Sequence, residues 1–131
     1  MLQRLAPSWI FAIGLGLVAY GCAPAKPFIA PPNFTLKGVW EGNFTNAQGA
    51  IFPQTMVLEE EKNGRIRGRY VGSQGSENEL SGQLSLPRVT FLLLGTEFTL
   101  SLVGEHEMGG WTDRAPGGGA AGRFHFTRKK Q

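Results

Sequence analysis

Leu36-Lys37-Gly38-Val39-Trp40-Glu41-Gly42-Asn43-Phe44-Thr45 is the stretch on which the fold turns. Read at period two, Leu36, Gly38, Trp40, Gly42 and Phe44 share one face. Lys37, Val39, Glu41, Asn43 and Thr45 share the other, as in a strand with one buried side. The same alternation continues down the chain. Phe52, Gln54, Met56 and Leu58 form an inner face, then Ile66, Gly68 and Tyr70, then Leu80, Gly82, Leu84 and Leu86. Val89, Phe91 and Leu93 follow, then Phe98, Leu100 and Leu102, and finally Gly122, Phe124, Phe126 and Arg128. A less regular strand is expected near residues 105–112. Turn residues separate these segments every 8–12 residues or so, the spacing of a sandwich or barrel. Helical periodicity is absent after Cys22, and glycines, each costing about 1 kcal/mol against alanine in a helix, recur too often for one.

One hairpin can be registered from parity. Leu58 and Ile66 must face the same side, so an odd number of residues separates their strands. Lys62-Asn63-Gly64 supplies a three-residue loop with Gly64 at positive φ. Glu61 is then expected opposite Arg65, Glu59 opposite Arg67 and Val57 opposite Arg69. The arginine stripe of residues 65, 67 and 69 reads as a solvated face with cross-strand carboxylates rather than an anion-binding ladder.

Mid-strand glycines on the apolar face (Gly38, Gly42, Gly68, Gly82, Gly104 and Gly122) let a sheet bend sharply enough to close. Closure also removes exposed edges. The fold class predicted is all-β: an up-and-down antiparallel meander of about eight strands closing into a small barrel, preceded by an N-terminal signal helix and a Pro-rich linker. Gly38-Val39-Trp40 resembles the Gly-x-Trp signature of the calycins, the lipocalin and avidin-like barrels. In lipocalins a basic residue from the end of the barrel stacks on that tryptophan. The resemblance implies Arg128 as the partner of Trp40, a structural closure pair. The chain is shorter than most lipocalins and lacks avidin's biotin-contacting tryptophans, so neither family's ligand carries over.

The N-terminus points to a cellular address. A basic head containing Arg4 precedes an apolar run from Trp9 to Tyr20, then Gly21-Cys22. That apolar run is shorter than the roughly 20 residues of a membrane span and matches a signal peptide. Val18-Ala19-Tyr20-Gly21-Cys22 resembles the lipobox of bacterial lipoproteins, with Ala19 and Tyr20 less usual than the family's common choices. The resemblance implies cleavage before Cys22 and acylation of its thiol and new amino group. Cys22 is the single cysteine, so no internal disulfide competes for it. Ala23, in place of an aspartate, implies the outer membrane and its periplasmic face. The expected organisation is a signal peptide over 1–21, a lipidated cysteine and Pro-rich linker over 22–33, and one barrel domain over 34–131. The linker's prolines favour an extended, polyproline-like spacer.

Chemistry-bearing residues are few. The chain has 13 Lys+Arg, 10 Asp+Glu and 2 His. This near-balance, with no basic stripe or recognition helix, predicts no nucleic-acid partner. His106 and His125 accompany no recognisable nucleophile. Within Glu105-His106-Glu107, strand alternation would point the carboxylates away from the imidazole. No catalytic residue, metal site or cofactor is expected. The bulk of the inward set favours a filled barrel. The alternative is a cavity near Phe44, Tyr70 and Trp111, with Trp40, Phe44, Tyr70 and Trp111 as its ligand-binding candidates and an apolar molecule as its occupant. Asp113-Arg114-Ala115-Pro116-Gly117-Gly118-Gly119 is long for a hairpin connection and a candidate binding loop.

The expected function is that of a non-catalytic envelope lipoprotein, held to the membrane by its lipid, with a barrel that binds a protein partner or supports envelope structure. The alternatives are a carrier of a small apolar ligand and an inhibitor of a periplasmic enzyme.

Overall fold

A sheet whose residues alternate apolar and polar along every strand can bury one whole face by curling round on itself. The computed structural model, which describes residues 28–116 and 119–130, shows this solution. The strands are β1 (Gly38–Asn46), β2 (Ile51–Lys62), β3 (Arg65–Val71), β4 (Glu77–Ser85), β5 (Arg88–Leu93), β6 (Thr96–Gly104), β7 (Glu107–Thr112) and β8 (Gly122–Arg128). Each pairs antiparallel with the next and β8 pairs with β1, giving a closed eight-stranded meander. The expected signal peptide with its helix, and Cys22, lie outside the described residues.

Register follows the parity of the sequence. Trp40 stands between Met56 and Arg128, and Phe44 between Phe52 and Phe124. The inward side chains fill the barrel: Trp40, Met56, Leu80, Phe91, Leu100, Met108 and Phe126 are fully buried. Through the centre runs a chain of rings, Phe44–Phe124–Phe98–Phe91, with centroid separations of 4.9, 4.8 and 5.5 Å. Such tilted and offset contacts contribute about 0.5–1.5 kcal/mol each beyond the area they bury. Two glycines make the tight coiling possible. A Cβ on Gly42 would run into the His125 carbonyl oxygen, and one on Gly68 into the Val57 carbonyl oxygen. Gly104, assigned inward from parity, instead ends β6 beside open space. Phe52, also assigned inward, sits at the mouth and is half exposed.

The β2–β3 hairpin departs from its expected form. Val57 does oppose Arg69, but Glu60 opposes Arg67, Glu61 opposes Ile66 and Lys62 opposes Arg65. The loop has two residues, Asn63 at φ 54° and Gly64 at φ 79°. The odd residue demanded by parity is taken up as a bulge between Leu58 and Glu60. An Asn-Gly pair accepts the two positive φ values of a tight hairpin turn, whose twist matches the strands better than a wider loop. The carboxylate partners change with it. Arg69 bonds Glu59 at 3.2 Å and Glu77 at 2.6 Å, while Arg67 bonds Glu79 of β4 at 3.1 Å.

The barrel's two ends differ. At one, the β2–β3, β4–β5 and β6–β7 turns gather with the start of β1 and the end of β8. Residues 28–37 lie across this end as a strap. Phe34 N–H donates to the Pro31 carbonyl at 3.1 Å, and Phe28 meets Phe34 edge-on at 5.5 Å. Leu36 is fully buried. Residues 28–33 therefore fold against the barrel rather than extending away as a spacer, because Phe28 finds apolar cover there. At the other end the β1–β2, β3–β4, β5–β6 and β7–β8 loops surround the mouth.

Candidate functional site

The closed end is organised by one side chain. β8 delivers Arg128 opposite Trp40, and its guanidinium carbon lies 4.8 Å from the indole centroid and 5.5 Å from that of Phe34. Its donors are then shared out among backbone carbonyls. Nη1 donates to Thr35 O at 2.5 Å and to Lys37 O at 3.0 Å, Nη2 to Glu105 O, and Nε to His106 Nδ1 at 3.3 Å. One planar fork thus joins the strap, β8 and the β6–β7 turn, which a single ammonium could not do. Burial lowers the Arg128 pKa from the usual arginine value, while Glu105 and Glu61 work the other way. Trp40 is held as firmly: its indole N–H donates to Leu36 O at 2.9 Å. Glu61 accepts from the Leu36 N–H at 2.8 Å, tying the strap to β2.

This closes the barrel interior at that end and leaves Trp40 without an exposed face. Its indole is sealed beneath the strap and Arg128. Trp111 is displaced for a different reason. Met108 and Thr112 of β7 point inward, so alternation turns Trp111 outward, where it is 53% exposed and donates to Asp113 Oδ1 at 3.2 Å. Of the four ligand candidates, only Phe44 and Tyr70 come together.

They meet at the open end. Phe44, Tyr70 and Leu93 line a cleft of about 240 Å³ together with Gln54, Gln74 and Asn78. Ala115 and Pro116 of the β7–β8 loop also line it. That loop is less free than its glycines suggest. Ala115 N–H donates to Gly119 O at 3.2 Å, Gly119 N–H returns to Ala115 O at 3.2 Å, and Thr112 Oγ1 donates to Arg114 O at 2.8 Å. Burial raises the Tyr70 phenol well above the ordinary tyrosine value, so it stays protonated and offers an O–H. The amide rim gives the cleft hydrogen-bonding capacity without charge.

His106 is placed otherwise than its sequence context suggested, while His125 faces outward on β8. Glu105 and His106 form the β6–β7 turn rather than strand, so alternation does not govern them. His125 Nε2 lies 2.7 Å from Glu107 Oε2 across β7 and β8, a partner missed because it depends on inter-strand register. Among the described residues, no cluster of three or more His, Cys, Asp or Glu side chains is placed to hold a metal.

No family model and no curated protein matches the chain. Among solved structures it is similar to a redesigned β-barrel, with a TM-score of 0.50 and 15% identity. The match covers 73% of this chain and 92% of that one. At that identity the likeness is one of fold alone: an eight-stranded antiparallel β-barrel.

Proposed function

We propose that the chain is a lipid-anchored protein of the bacterial cell envelope whose solid barrel serves as a non-catalytic binding or structural body. The observation that carries this reading is the filled interior. A carrier of apolar molecules needs an enclosed space of about 300 Å³ or more with apolar walls. Here the aromatic chain and its aliphatic neighbours occupy the barrel, and the open-end cleft is smaller and rimmed by amides. Recognition therefore falls to the outer surface. Trp111, Arg123, Thr45 and Ile51 stand in one outward row across β7, β8, β1 and β2, with Trp111 and Ile51 exposed. An exposed tryptophan with an arginine neighbour is the composition that protein interfaces favour.

The anchor is read from Cys22 and its lipobox-like context, and Ala23 supports the periplasmic face of the outer membrane as the address. The Gly-x-Trp start of β1 and the arginine laid over Trp40 support a calycin-like relationship. Replacing Cys22 by serine tests the anchor. Cells fed radioactive palmitate should label the wild-type protein and leave the variant unlabelled and unprocessed. Equal labelling of both would overturn the reading.

A further inference from the structure

We propose that the closed end of the barrel is a docking surface for anionic lipid headgroups, so that the domain stands strap-down on its membrane. The proposal rests on the anchoring of Cys22. Chain geometry comes first. The segment from Cys22 to Phe28 reaches at most about 20 Å, and Phe28 is packed on the closed end. Strands of 9 residues such as β1 and β4, tilted as barrel strands are, put the open end roughly 20 Å further away. A chain tethered at Cys22 therefore brings its closed end to the membrane first.

The charge at that end matches such a surface. An open cleft there is lined by Lys37, Arg128, Lys129 and Lys130, with Glu105 as the one carboxylate among its lining residues. Arg128 spends its hydrogen bonds on neutral acceptors, three carbonyl oxygens and the His106 ring, and keeps its positive charge. Lys129 has only a long contact to Glu41, at 4.0 Å, and both side chains are more than half exposed. Neighbouring turns and strand ends there add Lys62, Arg65 and Arg88 against Glu60, Glu61 and Glu107, so the end stays net positive. The open end is different: Asp113, Glu77 and Glu97 offset Arg114 and Arg123. A headgroup field decays within about 10 Å, so the membrane senses the closed end's charge and not the other's. Ile29 on the strap is 84% exposed and gives this end an apolar contact for the interface.

The test tethers the full chain through its single thiol to a maleimide phospholipid in nanodiscs, so the result does not depend on acylation in cells. Discs are of phosphatidylcholine alone or with about 30% phosphatidylglycerol, which supplies the negative surface the lysines need. A gadolinium lipid broadens nearby amide signals. In anionic discs the amides of Lys37, His106 and Lys129 should broaden well beyond those of Gln74 and Leu94, and neutral discs should show a much smaller difference. Each surface lysine shifts the docked-to-undocked ratio about fivefold, so Lys37→Gln, Lys129→Gln and Lys130→Gln together lower it roughly a hundredfold and abolish the preference. Even broadening at both ends, equal preference in neutral discs, or an unchanged triple variant overturns the proposal. Palmitate labelling in the host decides the anchor separately.

Discussion

Replacing Arg128 by methionine keeps the aliphatic stem and removes every donor. The carbonyls of Thr35, Lys37 and Glu105 then lose their shared partner, and the indole of Trp40 and ring of Phe34 lose the cation above them. Water reaches this half-buried site, so each carbonyl costs about 0.7 kcal/mol rather than the full penalty of an orphaned buried group. The stacking adds about 1 kcal/mol. The sum is about 3 kcal/mol, a large part of the 5–15 kcal/mol that holds a typical domain together. In urea, with a slope of about 1.5 kcal/mol per molar, the midpoint should fall by about 2 M with the slope unchanged. Arg128→Lys restores charge but serves the carbonyls only singly, and should recover less than half of the loss. Combining Arg128→Met with Trp40→Phe should show a coupling of about 1 kcal/mol, since the two side chains touch. A loss below about 1 kcal/mol, or strictly additive effects, would refute the closure argument.

Three further outcomes follow from the geometry. Gly42→Ala forces a methyl group into the His125 carbonyl, so urea denaturation should show a loss of about 3 kcal/mol; a midpoint like the wild type's contradicts the tight coiling. Gly64→Ala places a side chain at φ 79° in the hairpin turn and should cost about 1 kcal/mol by the same assay; a neutral result contradicts the two-residue turn. Tyr70 is held protonated by burial, so its folded pKa lies above its unfolded value of about 10. Its contribution is intact below that value and is lost as pH rises above it, because the unfolded chain alone releases the proton. Midpoints measured from pH 9 to 11, a window of about one unit on either side, should therefore fall more steeply for the wild type than for Tyr70→Phe, and parallel profiles would contradict the assignment.

The fold was legible because each strand repeats one rule. Leu, Phe and Trp at alternate positions declare an inner face, and most connections are too short for a crossover. Trp40 and Arg128 could be paired because the lipocalin resemblance implies a basic partner for that tryptophan and Arg128 has the inward parity. What parity could not give was depth along the barrel. Phe52 and Phe44 oppose each other, yet one is at the mouth and the other is buried. Leu36 was read as the first position of a strand, whereas it belongs to the strap and plugs the closed end. The β2–β3 ion pairs were misassigned because parity counts an extra residue without saying whether a loop or a bulge holds it. Trp111 was expected to line an internal cavity, when its own strand turns it outward. The open-end cleft was legible only in Phe44 and Tyr70; its amide rim comes from loops and strand ends brought together by closure.

One native mass spectrum of the protein taken from host membranes tests both the proposed lipid anchor and the proposed cargo-free barrel. A chain beginning at Cys22, heavier than its sequence by covalent acyl groups alone and carrying no retained small molecule, is the predicted result. A free thiol at that residue, or a stoichiometric ligand released only on unfolding, would contradict it.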